Sequence, residues 1–475
     1  MGRGTNYSAG MYNQLQDSLK LVDVLTNENK SLRLENSLLK EKIKSLELQL
    51  QKKDILADKD CTCSSIPSSK SNFKTGISNS RKPSDKNIGG QKGHKAHFVS
   101  KEKIQKEINE KNIKVIVKDI NKNSKNRNQK PIIRYKKDAI ITPVIYEYHI
   151  YPDNNGKYDI PEYLNHSVSY GTVVKTLALD LYYNRNVSID NIKQLFKDLF
   201  GYKISKGTII NFQKKLERNL MPETRNILMQ LKCEDYLHVD ESNLNIDGES
   251  YNIHNASSEK YTMQWVHKNK SHAALEEIGF LTEYYGALVK DGTHLYDKFA
   301  KSGKASCNAH INRYLIGSNK GIHHNGPDRM ILFLNGLKKH KKNLIKKGYK
   351  GIDENEYKNI VFQYRLELKK WLEEIQKDKK ENPLYDEERK LCARLLTDEE
   401  QHLLFIRNFI IPFTNNRAEV DIRGVKGRQK VGIFREFESA ERYVTIKSCL
   451  STYRKNKVNV FEAIGQALIS KTIIV

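Results

Sequence analysis

The sequence predicts a multidomain chain of mixed α and α/β class, in which an N-terminal coiled coil and a helical region precede an α/β core interrupted by a helical insertion. Three observations predict it: a leucine heptad near the N-terminus, a series of short β-type runs after Cys233, and a leucine- and lysine-rich helical stretch from Met330 to about Leu404. Length and charge frame these. The 475 residues suffice for several domains, and 82 Lys+Arg against 57 Asp+Glu leave a net charge of +25, which favours a polyanionic partner.

Residues 1–60 read as the coiled coil. Leu25, Leu32, Leu39 and Leu46 recur every seventh residue at d, while Leu15, Val22, Asn29, Asn36, Ile43 and Leu50 occupy a. Asparagine at a weakens a seam but fixes its register and favours two parallel strands. The pattern predicts a homodimer joined through Leu25, Asn29, Leu32, Asn36, Leu39, Ile43 and Leu46. A helix folded onto its own domain is the competing reading, and the absence of a helix breaker weighs against it.

Residues 61–130 turn to Ser, Asn, Lys and Gly and read as a basic, flexible linker. Within it, Asn87-Ile-Gly-Gly-Gln-Lys-Gly-His-Lys-Ala-His97 combines glycines that let backbone approach a phosphate with the charges of Lys92, His94 and Lys95. Mere solvation explains such a stretch equally. The six cysteines, Cys61, Cys63, Cys233, Cys307, Cys392 and Cys449, show no paired framework, which points to a reducing cytosol. Cys61-x-Cys63 is too close for a zinc knuckle, and Cys307 with His310 supplies only two ligands, so no zinc is expected. No run of apolar residues is long enough to span a membrane, and no secretory segment opens the chain.

Residues 131–228 are predicted to hold a helix-turn-helix-like region. Ser188 to Phe200 has apolar residues at helical spacing, Gly201 stops that helix, and Ser205 caps a second one beginning near Lys206. Ordinary helical hairpins share this frame.

The core begins at 229–328. Tyr236–Asp240, Ser250–Ala256 and Tyr261–His267 read as three consecutive antiparallel strands, a helix follows around Ala273 to Phe280, and Gly286–Asp291 reads as a fourth strand. Acids ending the first and fourth strands, in this order, match an RNase H-like domain. Residues 329–405 form the expected insertion, and 406–475 return to the core with Glu419 at a helix start. Asp240, Asp291 and Glu419 are the candidate catalytic and metal-binding acids: two Mg²⁺ ions about 4 Å apart can activate the attacking oxygen and absorb the leaving charge of a phosphodiester. Each acid also has a plainer reading, as a turn residue at a strand end or, for Glu419, as part of a capping box with Asn416. The basic residues Arg417, Arg423, Lys426, Arg428 and Lys430 flank the third acid closely, as phosphate contacts would require.

Phe413-Thr-Asn-Asn-Arg-Ala-Glu419-Val-Asp-Ile-Arg423 with Lys426 and Lys430, Phe434-Arg435 and Ser448 to Lys457, resembles the carboxy-terminal motif of IS66 family transposases. Val239-Asp240-Glu241-Ser242 is similar to that family's first-acid motif, Lys290-Asp291-Gly292 to its second, and Cys307-Asn-Ala-His310-Ile-Asn-Arg313 to the block that follows. Gly89-Gly-Gln-Lys-Gly-His94 and the leucine zipper also have counterparts there. The resemblance implies that Asp240, Asp291 and Glu419 are a DDE triad using Mg²⁺, with Mn²⁺ as a substitute. It further implies binding to terminal inverted repeats and target DNA, accessory proteins of the same element, and a bacterial cytosol or nucleoid setting. Lys92, His94, Lys95, Lys206, Arg313, Arg417, Arg423, Lys426, Arg428 and Lys430 are the expected DNA contacts. Two departures stand out: the cysteines of a zinc-finger-like module after the Gly-Gln-x-Gly-His stretch are missing, and Ser242 replaces a usual threonine. A non-catalytic DNA-binding derivative and a nuclease without strand transfer both stay open at this point.

Overall fold

A computed structural model describes residues 5–57, 101–111, 115–118, 133–137, 142–164, 166–319, 325–377 and 385–469. The motif around Lys92, His94 and Lys95 lies outside them. The chain divides into two units, Thr75–His149 and the remainder, Met1–Lys74 with Ile150–Val475. Among the described residues no helix is long and apolar enough to cross a membrane.

Helix α1 spans Thr5–Ala57, so the whole zipper sequence is helical. At about 1.5 Å per residue it is roughly 80 Å long. Leu25, Leu32, Leu39, Leu46 and Ile43 are 46–54% exposed on the single chain, and Asn36 Nδ2 donates to the Leu32 carbonyl 3.0 Å away. In the smaller unit, the stretch expected to be linker contains a helix, α2 (Lys101–Lys111). Glu102 in its first turn and the Lys106–Glu110 pair at helical spacing suit it to that state.

Helices α3 (Thr172–Leu179), α4 (Ile189–Phe200) and α5 (Lys206–Lys232) lead into the core. The Ser188 hydroxyl accepts from Asn191 N, Gly201 ends α4 at φ 72°, and Ser205 caps α5 through Thr208 N. These are the predicted helix boundaries. Helix α5 is far longer than a two-helix reader needs, because its apolar stripe of Ile209, Leu216, Leu220, Ile227 and Leu231 is fully used in the core.

A five-stranded sheet follows in the spatial order β3-β2-β1-β4-β5. Strands β1 (Tyr236–Ile246), β2 (Glu249–Ser257) and β3 (Thr262–His267) form the antiparallel meander. The β1–β2 turn is Asp247-Gly248 with φ of 48° and 88°, a two-residue loop whose left-handed backbone suits this dipeptide and the sheet twist. After helix α6 (His272–Ile278), β4 (Ala287–Lys290) pairs parallel to β1, and β5 (Lys304–Ser306) parallel to β4. Then come α7 (Asn308–Asn319), α8 (Asn325–Lys346), α9 (Glu354–Lys377), α10 (Tyr385–Thr397) and α11 (Glu399–Arg407). Finally α12 (Asn416–Val431), α13 (Phe437–Lys455) and α14 (Val460–Leu468) close the chain.

The sheet separates two apolar cores. Leu237, Val239 and Leu288 pack with α3–α5, α13 and α14, whereas Ala287, Val289 and Ala305 pack with α7–α11. The period-2 alternation along β4 thus serves both faces. Strand β1 obeys the same alternation: Leu237 and Val239 face the first core, so His238 and Asp240 face the other.

Candidate active site

Asp240 and Asp291 are brought together by strand register. Strands β1 and β4 run parallel with His238 opposite Val289, and each aspartate lies two residues further along its strand's path. Adjacent strands are about 4.8 Å apart, so the two carboxylates are neighbours on one side of the sheet. Glu419 sits in the first turn of α12, which packs across β1 and β2.

Electrostatics registers the convergence. Burial, then the carboxylates of Asp291 and Glu241, and also that of Glu419, push Asp240 up to about 8, although the Glu241 amide donating to its Oδ1 at 2.9 Å opposes this. One Glu419 oxygen takes Arg423 Nη2 at 3.0 Å, while the other, Oε1, is buried without a hydrogen-bond partner. A cluster of carboxylates that repel each other, one with an orphaned oxygen, fits a hard divalent cation that takes oxygen ligands and keeps some of its water. Glu241, next to Asp240, points to the opposite face and pairs with Lys270 at 2.6 Å.

Asn415 is the residue that sequence reasoning missed. It is fully buried, and its Oδ1 accepts from His238 Nδ1 at 2.9 Å. Its Nδ2 donates to the Val239 carbonyl at 2.9 Å and to Asp291 Oδ1 at 3.4 Å, and its backbone N–H donates to Cys307 Sγ at 3.1 Å. One residue therefore joins β1, the end of β4, the start of α7 and the start of α12 through its side chain and its backbone N–H. This also corrects the capping-box reading of Asn416: Asn415 precedes the first helical residue, and its side chain caps no helical N–H because it is committed to the site. Burial holds His238 down to about 4, a neutral ring that donates from Nδ1.

Asp291, Cys307 and His310 offer ligand atoms that all lie within 4.8 Å of one another, so the Cys307–His310 pair gains a third potential ligand that the sequence did not reveal. The nitrogen geometry argues against a metal on all three. His310 Nδ1 is 3.2 Å from Asp291 Oδ1, and Arg313 Nη1 is 2.9 Å from Nε2. Burial disfavours charge on His310, but Asp291 and Cys307 outweigh it and push the ring up to about 11, whereas the arginine contact requires a lone pair on Nε2. The neutral ring satisfies the arginine, because a cationic one would set two donors face to face. In either form Nδ1 carries the proton and lies 3.2 Å from Asp291 Oδ1, close enough for a charge contact but without hydrogen-bond geometry. Asn415 and His310 both approach Oδ1, which leaves Oδ2 for another partner.

The expected phosphate contacts divide. Lys206, Lys430 and Arg423 are exposed, although Arg423 is paired with Glu419. Arg417 is engaged by Glu259, Lys426 Nζ donates to the Asn243 carbonyl at 2.6 Å, and Arg313 holds His310. Arg428 is placed inside the fold: 8% exposed, it donates to the Val187 carbonyl at 3.2 Å and lies 4.2 Å from the centre of the Tyr182 ring, so its guanidinium is not available to DNA. Tertiary packing overrides the surface position that the run of basic residues suggested.

Residues 168–442 match the family described as Transposase IS66 family, a span of more than half the chain that includes all three acids. No curated protein matches the chain.

Proposed function

Because the chain belongs to the IS66 transposase family, we propose that it cuts and rejoins DNA at the ends of its mobile element, with Asp240, Asp291 and Glu419 as a DDE triad. The observation that carries this reading is the meeting of three carboxylates from β1, the end of β4 and α12, with Asp240 pushed up to about 8 and Glu419 Oε1 unpartnered. The strand order, three antiparallel strands followed by two parallel ones, suits an RNase H-like core.

Asp240, which feels both other acids, would hold the Mg²⁺ ions together with Asp291 and Glu419. When bound, the ions make the attacking oxygen nucleophilic and neutralise the leaving oxygen. Asn415 donates to Asp291 Oδ1 with His310 beside the same oxygen, which would leave Oδ2 for a metal, and Arg423 on Glu419 Oε2 would leave Oε1 in the same way. The exposed apolar row of α1 supports a homodimer that would bring two element ends together. Exposed Lys206 at the start of α5 supports a DNA-contacting role for the α4–α5 pair. Terminal inverted repeats, target DNA and accessory proteins of the element are the proposed partners.

The test is strand cleavage and joining on labelled element-end DNA with Mg²⁺ or Mn²⁺, comparing the parent with Asp240→Ala, Asp291→Ala and Glu419→Ala. Products that vanish in all three variants while DNA binding persists support the triad. A parent that binds DNA but never cleaves it makes the chain a non-catalytic derivative, and cleavage without joining makes it a nuclease.

A further inference from the structure

We infer that the exposed lysine stripe of α8 is a docking surface for the backbone of the double-stranded DNA handled at the acid cluster, an inference that rests on the function proposed above. Helix α8 turns Met330, Leu334, Leu337 and Lys341 into the core. Lys339, Lys342 and Lys346 follow each other at three- and four-residue spacing on a different stripe, with Lys338 four residues before Lys342 at its edge, all exposed, over a rise of about 12 Å. The helix carries a single acid, Asp328, in its first turn.

Among the described residues, no acid pairs with Lys339, Lys342 or Lys346, and Lys338 lies over the Phe413 ring 4.9 Å from its centre. The one ion pair made from this part of α8, His340 with Glu356 at 2.8 Å, faces away from the stripe. Like charges four residues apart on a helix repel each other, so the row is unfavourable until a polyanion covers it. Phosphates supply that cover and release their counterions.

The stripe is also continuous with the site. Asn335, on the same stripe, is 3.4 Å from Asn312 of α7, the helix that sets His310 and Arg313 against Asp291. Phe413, beneath Lys338, is two residues before Asn415. By contrast, Arg423, Lys426 and Arg428, which follow Glu419, are already engaged within the protein.

The experiment measures duplex DNA binding by the full chain, by fluorescence anisotropy across a KCl series, for the parent and Lys339→Gln/Lys342→Gln/Lys346→Gln. A control variant removes the same charge from α1 (Lys30→Gln/Lys40→Gln/Lys42→Gln). The α8 variant should weaken binding equally for element-end and unrelated duplexes, and should reduce the slope of log K against log[salt] by about 2 to 3, near 0.9 per lost phosphate contact. An unchanged slope, a loss confined to one sequence, or an equal loss in the α1 control overturns the inference. A parent that binds no duplex DNA removes the proposed function itself, whereas a parent that binds alongside an unaffected α8 variant sinks the α8 surface alone.

Discussion

Replacing Asp240 by asparagine should stabilise the metal-free protein at pH 8 and abolish its stabilisation by Mg²⁺. The unfolded chain releases the Asp240 proton near pH 4 and the folded chain only near 8, so between those values the folded state holds more protons and stability falls as pH rises. A carboxyl moved from 3.8 to about 8 represents at most about 6 kcal/mol, at about 1.4 kcal/mol per tenfold change in proton affinity. Water reaching the partly exposed cleft screens the neighbouring acids and lowers this to roughly 2 to 3 kcal/mol. Asparagine keeps the shape and carries no charge, so Asp240→Asn should exceed the parent by that amount at pH 8 in EDTA. The gap should narrow at pH 5 and close only below about pH 4, where the unfolded chain's carboxyl is protonated as well. Urea unfolding at both pH values, with EDTA and with saturating Mg²⁺, measures it; Mg²⁺ should raise the parent's stability at pH 8 and leave the variant unmoved. A variant no more stable than the parent at pH 8, or a gap that is the same at pH 5, would refute the argument that buried carboxylate repulsion defines this site.

Asn415→Ala removes the partners of the Val239 carbonyl, of His238 Nδ1 and of one Asp291 oxygen, and should lower stability by about 2 to 4 kcal/mol in urea unfolding, whereas Asn416→Ala next to it should change little. His310→Ala should weaken Mg²⁺ affinity about 10- to 100-fold, read from the Mg²⁺ concentration needed to stabilise the fold, because Asp291 loses the ring packed beside its Oδ1. Cys307→Ser should preserve that stabilisation, and Co²⁺ titration of the parent should give no thiolate absorption band. Leu32→Glu with Leu39→Glu should convert the homodimer proposed for α1 into monomers in sedimentation velocity, with the α/β core still folded; an unchanged mass would remove the zipper reading.

What the sequence made legible follows from the range of each interaction. Helix α4 was readable from Ser188 and Gly201, which act on amides and carbonyls a few residues away. The β1–β2–β3 meander was readable from its local alternation, but the expected first strand, Tyr236–Asp240, was too short: β1 continues to Ile246, so Asp240 stands inside a strand and not at its end. The parallel strand β5 was not, since three residues carry no period of their own and its pairing comes from β4. Asn415 was invisible for a stronger reason: its partners His238, Val239, Asp291 and Cys307 are distant in sequence, and an Asn-Asn pair before a helix reads locally as a cap. The basic residues show the same limit. A net charge of +25 counts cations without placing them, so nothing local separated buried Arg428 from exposed Lys430.

The order in which the acids occur along the chain has a consequence for biosynthesis. Asp240 and Asp291 belong to a sheet that can form early, but Glu419 arrives only with α12, after helices α7–α11. A nascent or truncated chain that ends before α12 therefore carries two of the acids without the third, and lacks the Asn415 clamp as well. Under the proposed mechanism, translation acts as a safety catch: the nuclease centre closes only once most of the polypeptide has left the ribosome and the tail has docked across the sheet.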